Sequence, residues 1–204
     1  PRCRVVDRRA GAGGRRGAPT RTFCTERAAN DAEVEAAVAG MSTVRILGSG
    51  AWGTSLALLW SQEPGDGRVT PQIELITRTD AEAELLRRTR VNERRLPGVT
   101  IAAGIDVRGA SATMAPLGRG DLFVVSLPTT ALDPAVTADI VDRAGAAPIG
   151  IASKGLTVEG MRPSQLLIEA GADPARIAVL SGPNLAHEIA RGKPARSEDH
   201  TSEL

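Results

Sequence analysis

Between Ser42 and Ala195, short apolar runs alternate with longer segments of helical periodicity. Runs rich in β-branched residues predict five strands, at Val44–Leu47, Ile73–Ile76, Leu122–Val125, Ile149–Ile151 and Ile177–Leu180. Positions with a period near 3.6 predict four helices, at 51–62, 80–90, 134–144 and 163–170. Strands that alternate with helices in this way predict βαβ units, and therefore an α/β domain with a doubly wound, mostly parallel sheet.

Local signals place the ends of several of these elements. In the first helix Leu56, Leu59 and Trp60 form one apolar stripe, and Pro64-Gly65 ends it. We expect Asp80 to cap the second helix, because a side-chain oxygen there can accept from the free amides of the first turn. Residues 99–120 carry a weaker pattern, which we interpret as an edge strand near Val99–Ile101 followed by a short amphipathic segment.

The two ends of the chain differ in composition from the middle. Residues 1–29 hold eight arginines against two acids and have almost no apolar periodicity, so we expect residues 1–40 to be disordered. We favour an extension upstream of a start at Met41, over a basic arm or a mitochondrial presequence. Residues 196–204 look like a foreign tail in which His200 has no role. One domain is therefore expected over residues 41–195.

Composition excludes several classes of function. The formal net charge is +1, which argues against a uniformly basic nucleic-acid binder. No apolar run reaches the roughly 18 residues of a membrane-spanning helix. Cys3 and Cys24 are the only cysteines, too few for a disulfide scaffold or a Cys-based zinc site, and we predict no metal site. Aromatic residues make up 2%, which disfavours a base-stacking surface.

The segment Gly48-Ser49-Gly50-Ala51-Trp52-Gly53 has the form G-x-G-x-x-G and lies between a predicted strand and a predicted helix. This context is typical of the dinucleotide loop of a Rossmann-like domain. The first glycine permits the tight turn, the second leaves room for a diphosphate, and the third allows close packing of the helix. Backbone amides from Ser49 to Trp52 would then face two linked phosphates. A turn that serves packing alone is the alternative.

The end of the second strand distinguishes NAD from NADP. An acid there accepts from the ribose 2′-hydroxyl, whereas an arginine accommodates a 2′-phosphate. Arg78 occupies this position, 30 residues after Gly48, so NADP is favoured over NAD unless Arg78 is only a solvated loop charge. Trp52 could line the pocket for the diphosphate; the alternative is an aromatic side chain that only packs the helix.

Two further loops follow predicted strands. Lys154, one of two lysines in the chain, lies beside Gly155 at the carboxyl end of a strand, where open α/β sheets hold their ligands. Its ammonium could bind a phosphate or polarise a carbonyl; the alternative is a solvated lysine. Ser181-Gly182-Pro183 ends the last strand and begins a helix in which we interpret His187 as a surface residue.

Four segments together resemble the bacterial type of NAD(P)-dependent glycerol-3-phosphate dehydrogenase, over about Ser42 to Ala195. They are the glycine loop through Thr54, Asn92-Glu-Arg-Arg-Leu-Pro-Gly98, Ser153-Lys154-Gly155, and Leu180-Ser-Gly-Pro-Asn-Leu-Ala-His-Glu188. The resemblance implies a cytoplasmic enzyme that transfers a hydride between NAD(P)H and dihydroxyacetone phosphate or sn-glycerol 3-phosphate, feeding glycerophospholipid synthesis. It also implies that the full-length enzyme can form a homodimer.

The resemblance also implies roles for individual residues. The expected cofactor-binding set is Gly48, Ser49, Gly50, Ala51, Trp52, Gly53, Arg78, Pro128, Lys154 and Ala186. Lys154 stands where the family contacts substrate as well, and Gly182 and Asn184 fall at substrate-side positions. Asn184 replaces the family's usual Ser or Thr, and Thr129 stands where a Ser is common.

No catalytic residue is expected among residues 41–195, because the family's acid/base lysine belongs to a helical C-terminal domain. We therefore expect this chain to bind cofactor without appreciable turnover. Two alternatives stay open: a dinucleotide-binding module without catalysis, and another two-domain dehydrogenase such as a ketopantoate reductase or a hydroxyacid dehydrogenase.

Overall fold

The computed structural model describes residues 42–63, 69–180 and 185–192. Over these residues the strands are β1 (Thr43–Leu47), β2 (Gln72–Ile76), β3 (Ile105–Arg108), β4 (Leu122–Val125), β5 (Ile149–Ile151) and β6 (Ile177–Val179). The α-helices are α1 (Ala51–Trp60), α2 (Asp80–Thr89), α3 (Pro134–Ala144), α4 (Pro163–Glu169) and α5 (Ala186–Ala190). Short 3-10 helices cover Thr129–Ala131 and Pro174–Arg176.

The strands form one sheet in the order β3-β2-β1-β4-β5-β6, and each neighbouring pair is parallel. From the central strand β1 the path winds outward to β3, returns to β4 beside β1 and winds outward again to β6. The predicted doubly wound α/β sheet is thus confirmed. The point between β1 and β4, where the winding reverses, is where sheets of this kind hold ligands.

Side chains alternate between the two faces of a strand, so each face carries its own core. On the first face Val44, Ile46 and Leu75 pack with Leu56 of α1 and Leu86 of α2. On the second face the buried residues come from β4 and β5 and from helices α3 and α4; the largest of them are Phe123, Ile140, Ile149, Ile151 and Leu167. Both cores are almost entirely aliphatic. This agrees with the composition of the apolar runs from which the strands were predicted.

The second face also buries a charged pair that sequence analysis did not anticipate. Arg45 of β1 and Glu74 of β2 are register partners, and the Arg45 Nε lies 2.6 Å from the Glu74 Oε2. Arg45 also donates from Nη2 to the Ala115 carbonyl at 3.1 Å, and the Arg108 Nη2 lies 3.6 Å from the Glu74 Oε1. Ala115 belongs to residues 109–121, which connect β3 to β4 without a helix. This connection therefore supplies an additional hydrogen-bond acceptor for the buried Arg45 guanidinium.

The edge strand predicted at Val99–Ile101 is wrong. Both residues are buried, but only a single antiparallel bridge between Val91 and Thr100 forms there, and the edge strand is β3. Both segments alternate apolar and polar residues, so periodicity alone does not distinguish them. The short amphipathic segment predicted after Val99–Ile101 corresponds to β3, in which buried Ile105 and Val107 alternate with half-buried Asp106 and Arg108.

The predicted cap of α2 is wrong by one residue. Thr79 is the N-cap, its hydroxyl accepting from the Glu82 amide at 3.2 Å, and Asp80 is the first helical residue. The Asp80 carboxylate instead accepts from the Ser111 hydroxyl at 2.6 Å. The apolar stripe of α1 also needs correction, because Leu59 is 42% exposed whereas Leu58 is buried.

Several expectations fall on residues outside the described ranges. They concern the arm at 1–40, the tail at 196–204, Pro64-Gly65, and the predicted substrate-side residues Gly182 and Asn184. Those expectations, and the domain boundaries that depend on them, stay predictions. Within the described residues no helix has the length and apolar character needed to cross a membrane.

Candidate functional site

The reversal of the winding creates a gap between the loops that follow β1 and β4. Strands β1 and β4 are paired up to Leu47 and Val125, and the Ser126 amide then donates to the Leu47 carbonyl at 2.8 Å. On the other side of β1, the Gly48 amide donates to the Ile76 carbonyl at 2.9 Å. The glycine loop is thus tied to both neighbouring strands where it leaves the sheet.

The three glycines of the loop occupy different surroundings. Gly48 has a φ of 115°, and a Cβ built on it would overlap the Ser126 carbonyl. A Cβ on Gly53 would overlap the Gly48 carbonyl oxygen, so the start of α1 packs directly on the turn. At Gly50, no atom of a described residue other than its two chain neighbours lies within 4 Å of the Cβ position. The loop is therefore closely packed at Gly48 and Gly53 and open at Gly50.

The open side of the loop carries free backbone donors. Gly50 is the N-cap of α1 and has no capping side chain, and Thr54 is the first residue whose amide bonds back to the Gly50 carbonyl. The amides of Ala51, Trp52 and Gly53 make no hydrogen bond to another described residue, as at any uncapped helix start. Donors of this kind, with the helix dipole behind them, favour an anion.

The closed side of the loop is held by side chains from other elements. The Asn92 Nδ2 donates to the Ser49 carbonyl at 2.8 Å and to the Thr54 hydroxyl at 3.1 Å. The Ser49 hydroxyl donates to the Glu82 Oε1 of α2 at 2.7 Å. Asn92 and Glu82 were not among the predicted site residues, although Asn92 belongs to a motif that carried the family resemblance. Their partners lie 43 and 33 residues away, so spacing along the chain does not reveal them.

Trp52 in the first turn of α1 and Lys154 in the loop after β5 are in contact. The Lys154 Nζ lies 5.1 Å from the centroid of the Trp52 ring, within the range of a cation–π contact. Trp52 is partly buried, and its Nε1 has no hydrogen-bond partner among the described residues. Two predicted residues from different loops are thus brought together.

Lys154 also lines a cavity of about 320 Å³ at the carboxyl ends of β5 and β6. The other polar or charged side chains of its wall belong to Ser153, Arg162 and Ser164. Arg162 lies near Lys154 because the chain between them folds back in a loop. The Thr157 amide donates to the Met161 carbonyl and the Met161 amide donates to the Thr157 hydroxyl, which closes this loop. No carboxylate of the described residues lines the cavity, so it suits an anion.

Arg78 is exposed at the carboxyl end of β2, directly before the N-cap residue Thr79. It forms no ion pair with another described residue. The nearest acid in sequence, Asp80, is bonded to Ser111. An anion that reached this end of β2 would thus meet a guanidinium that no described carboxylate neutralises.

The remaining predicted residues have distinct positions. Pro128 is exposed and precedes the 3-10 helix after β4, where Thr129 is buried. Ala186 begins α5, and its carbonyl accepts from the Ser55 hydroxyl of α1 at 2.8 Å, which brings α5 against the helix that follows the glycine loop. His187 is an exposed residue of α5, as its surface interpretation requires. Among the described residues no group of three potential ligands could hold a metal ion.

Comparison with known proteins identifies relatives of this chain. The model of the family described as NAD-dependent glycerol-3-phosphate dehydrogenase N-terminus matches residues 43–199. A glycerol-3-phosphate dehydrogenase (NAD(P)+) of Corynebacterium glutamicum strain R is 36% identical over 157 residues, which are 76% of this chain and 45% of the relative. The Mycobacterium leprae protein of the same name is 36% identical over 174 residues, or 80% and 46% of the two chains.

A solved structure shares the fold. The glycerol-3-phosphate dehydrogenase of Coxiella burnetii superposes with a TM-score of 0.60 at 23% identity, covering 76% of this chain and 45% of that one. The chain thus spans somewhat less than half the length of the relatives it matches.

Proposed function

Since the chain belongs to the family of the NAD-dependent glycerol-3-phosphate dehydrogenase N-terminus, we propose that its described residues form the dinucleotide-binding part of an oxidoreductase. In the reversible reaction, a hydride from NAD(P)H adds to the C2 carbon of dihydroxyacetone phosphate and a proton adds to the C2 oxygen, which yields sn-glycerol 3-phosphate and NAD(P)+. The observation that carries the proposal is the open space above Gly50 at the point where the sheet reverses its winding.

The residues present fit a dinucleotide. A diphosphate needs backbone donors and close approach. At the first turn of α1 the amides make no hydrogen bond to another described residue, and at Gly50 no described side chain other than those of its two chain neighbours lies within 4 Å of the Cβ position. A nicotinamide dinucleotide, when bound, supplies the hydride. The protein supplies the anion cradle, the walls of the gap and the nearby cation of Lys154.

Lys154 is the residue we assign to the substrate side of the gap as well as to the cofactor. Its ammonium lies on the face of Trp52 and at the wall of the cavity beyond β5. In that position it could neutralise a phosphate or stabilise negative charge that develops on the carbonyl oxygen during reduction. Gly182 and Asn184 keep their predicted substrate-side role as part of this proposal.

We assign NADP as the preferred cofactor because of Arg78. A guanidinium forms two parallel hydrogen bonds with a phosphate, and Arg78 stands exposed where the ribose of a dinucleotide would lie. The acid next to it is bonded to Ser111 and does not compete. The homodimer and the cytoplasmic location that the resemblance implies stay predictions.

The experiment is a titration of the 204-residue chain with NADPH and NADH, followed by the fluorescence of Trp52 and Trp60. Gly50→Ala places a methyl group in the space assigned to the diphosphate. We expect it to weaken binding at least about tenfold, equivalent to 1.4 kcal/mol, with little change in melting temperature because no protein atom is contacted.

Gly104→Ala is the matched control. Gly104 also has open space at its Cβ position and lies before β3, away from the loop. It should leave both binding and melting temperature unchanged. Wild-type chain that bound neither dinucleotide, or a Gly50→Ala chain that bound as well as wild type, would contradict the proposal.

A further inference from the structure

Asn92 lies far from the glycine loop in sequence, yet both hydrogens of its amide group point into that loop. The Asn92 Nδ2 donates to the Ser49 carbonyl at 2.8 Å and to the Thr54 hydroxyl at 3.1 Å. Thr54 in turn donates to the same Ser49 carbonyl at 3.3 Å. Asn92 is 5% exposed and Thr54 is fully buried, so water does not compete for these bonds.

Asn92 is itself held firmly. Its carbonyl accepts from the Arg95 amide at 3.0 Å and from the Leu96 amide at 2.7 Å, and Leu96 is fully buried. The segment is closed at its ends by the bond from the Ile101 amide to the Arg90 carbonyl at 2.7 Å. Residues 90–101 therefore form a connection closed by its own hydrogen bonds, which presents one amide group to the buried side of the glycine loop.

The consequence follows from the planarity of the peptide bond. The described residues contain no cis peptide bond, and in a trans peptide the C=O and the N–H point in opposite directions. Because Asn92 draws the Ser49 carbonyl toward the interior, the N–H of Gly50 in the same peptide unit points outward. The Gly50 N–H makes no hydrogen bond to another described residue, and no atom of a described residue other than its two chain neighbours lies within 4 Å of the Gly50 Cβ position.

We propose that Asn92 is a positioning residue of the dinucleotide loop, which fixes the Ser49–Gly50 peptide with its N–H facing the diphosphate. The identity of the ligand, a dinucleotide, rests on the proposed function. The orientation of the peptide rests on the hydrogen bonds of Asn92 alone. Without the Asn92 side chain only the longer bond from the Thr54 hydroxyl, at 3.3 Å, still holds the Ser49 carbonyl. The peptide is then freer to rotate, and in the rotated form its carbonyl would face the phosphate and repel it.

The first measurement is the affinity for NADPH of N92A and N92D in the 204-residue chain. We expect N92A to bind about tenfold more weakly, which corresponds to 1.4 kcal/mol. N92D should bind more weakly still, because its carboxylate repels the Ser49 carbonyl and adds negative charge beneath the anion site. N92S replaces N92A if the latter does not fold.

The matched control is T137A. Thr137 is 1% exposed, and its hydroxyl donates to the Asp133 and Pro134 carbonyls at 3.0 and 3.1 Å in α3 on the second face of the sheet. T137A should lower the melting temperature without changing the affinity for NADPH. An equal loss of affinity in T137A and N92A would overturn the proposal, since Asn92 would then act only through global stability.

A second measurement needs no ligand. In a ¹⁵N–¹H correlation spectrum of the free chain, N92A should shift or broaden the Gly50 amide signal, whereas T137A should leave it in place. An unmoved Gly50 signal in N92A would overturn the inference even if dinucleotide binding is intact. Wild-type chain that bound no dinucleotide would contradict the proposed function, and the Gly50 signal would still decide whether Asn92 orients the peptide.

Discussion

The two faces of the sheet bury polar groups for different purposes. On the first face Asn92, Ser49 and Thr54 form a hydrogen-bonded group at the carboxyl end of β1, against the glycine loop. On the second face Arg45 and Glu74 pair within the strands themselves, beneath the connection from β3 to β4. Burial and short distances are alike in the two groups. The two groups differ in position: the first lies at the carboxyl ends of the strands, beside the loop proposed to bind the dinucleotide, and the second lies within the sheet.

The largest effect is expected from Arg45→Met, which leaves Glu74 buried with only the more distant Arg108 as a partner. Removal of one member of a buried ion pair costs about 3–5 kcal/mol. The free energy of unfolding from urea titration measures the loss. The double variant Arg45→Met/Glu74→Leu should recover most of it, and a single variant as stable as wild type would show that the pair has no structural role.

A smaller loss of stability is expected from Gly53→Ala on the first face. Its methyl group meets the Gly48 carbonyl and the Ser126 side chain, and backbone cannot move aside as a flexible side chain would. Overpacking of this kind costs about 1–3 kcal/mol, which a thermal melt detects. Gly50→Ala should leave the melt unchanged, so equal melting temperatures for the two variants would contradict the description of the loop.

Arg78→Gln tests the cofactor preference at the end of β2. Because the guanidinium is assigned to the 2′-phosphate, we expect the affinity for NADPH to fall about tenfold while that for NADH changes little. Parallel titrations with the two dinucleotides measure the ratio. Arg88→Gln, an exposed arginine of α2, is the control, and equal losses for both dinucleotides would remove Arg78 from this role.

The smallest effect is expected from Lys154→Gln, which removes the ammonium from the Trp52 ring. A partly exposed cation–π contact contributes about 0.5–1 kcal/mol, so the melting temperature should barely move. In a Trp60→Phe background the emission of Trp52 alone reports the contact. Lys154→Gln should change that emission and Lys154→Arg should largely preserve it; an unchanged spectrum in the glutamine variant would place the ammonium elsewhere.

Much of the fold follows from local signals in the sequence. The strand of Leu122–Val125 and the helix of Pro134–Ala144 were predicted with their observed bounds, because an apolar run and a proline in the first turn mark them clearly. The glycine loop was identified by its place between a strand and a helix. The family resemblance drawn from four motifs is confirmed by the match over residues 43–199.

What the sequence could not predict depends on partners that are distant along the chain. Arg45 looks like an exposed residue of β1 until the register of the sheet places Glu74 beside it. The N-cap of α2 was predicted one residue too late, because Thr79 and Asp80 are both good N-cap residues and only the extended backbone of Thr79 decides between them. The contacts of Asn92 likewise need the folded connection of residues 90–101.

The packing of Gly48 and Gly53 against Ser126 has a consequence for the order of folding. The glycine loop rests on the residue that follows β4, and β1 is joined to that strand across a long stretch of chain, as in the bond from the Thr43 amide to Asp121. Parallel strands so far apart pair late, because the intervening chain must first be ordered. A ribosome-bound chain that ends before Ser126 therefore lacks the residue against which the glycine loop packs. We expect dinucleotide binding to appear only after β4 has paired with β1.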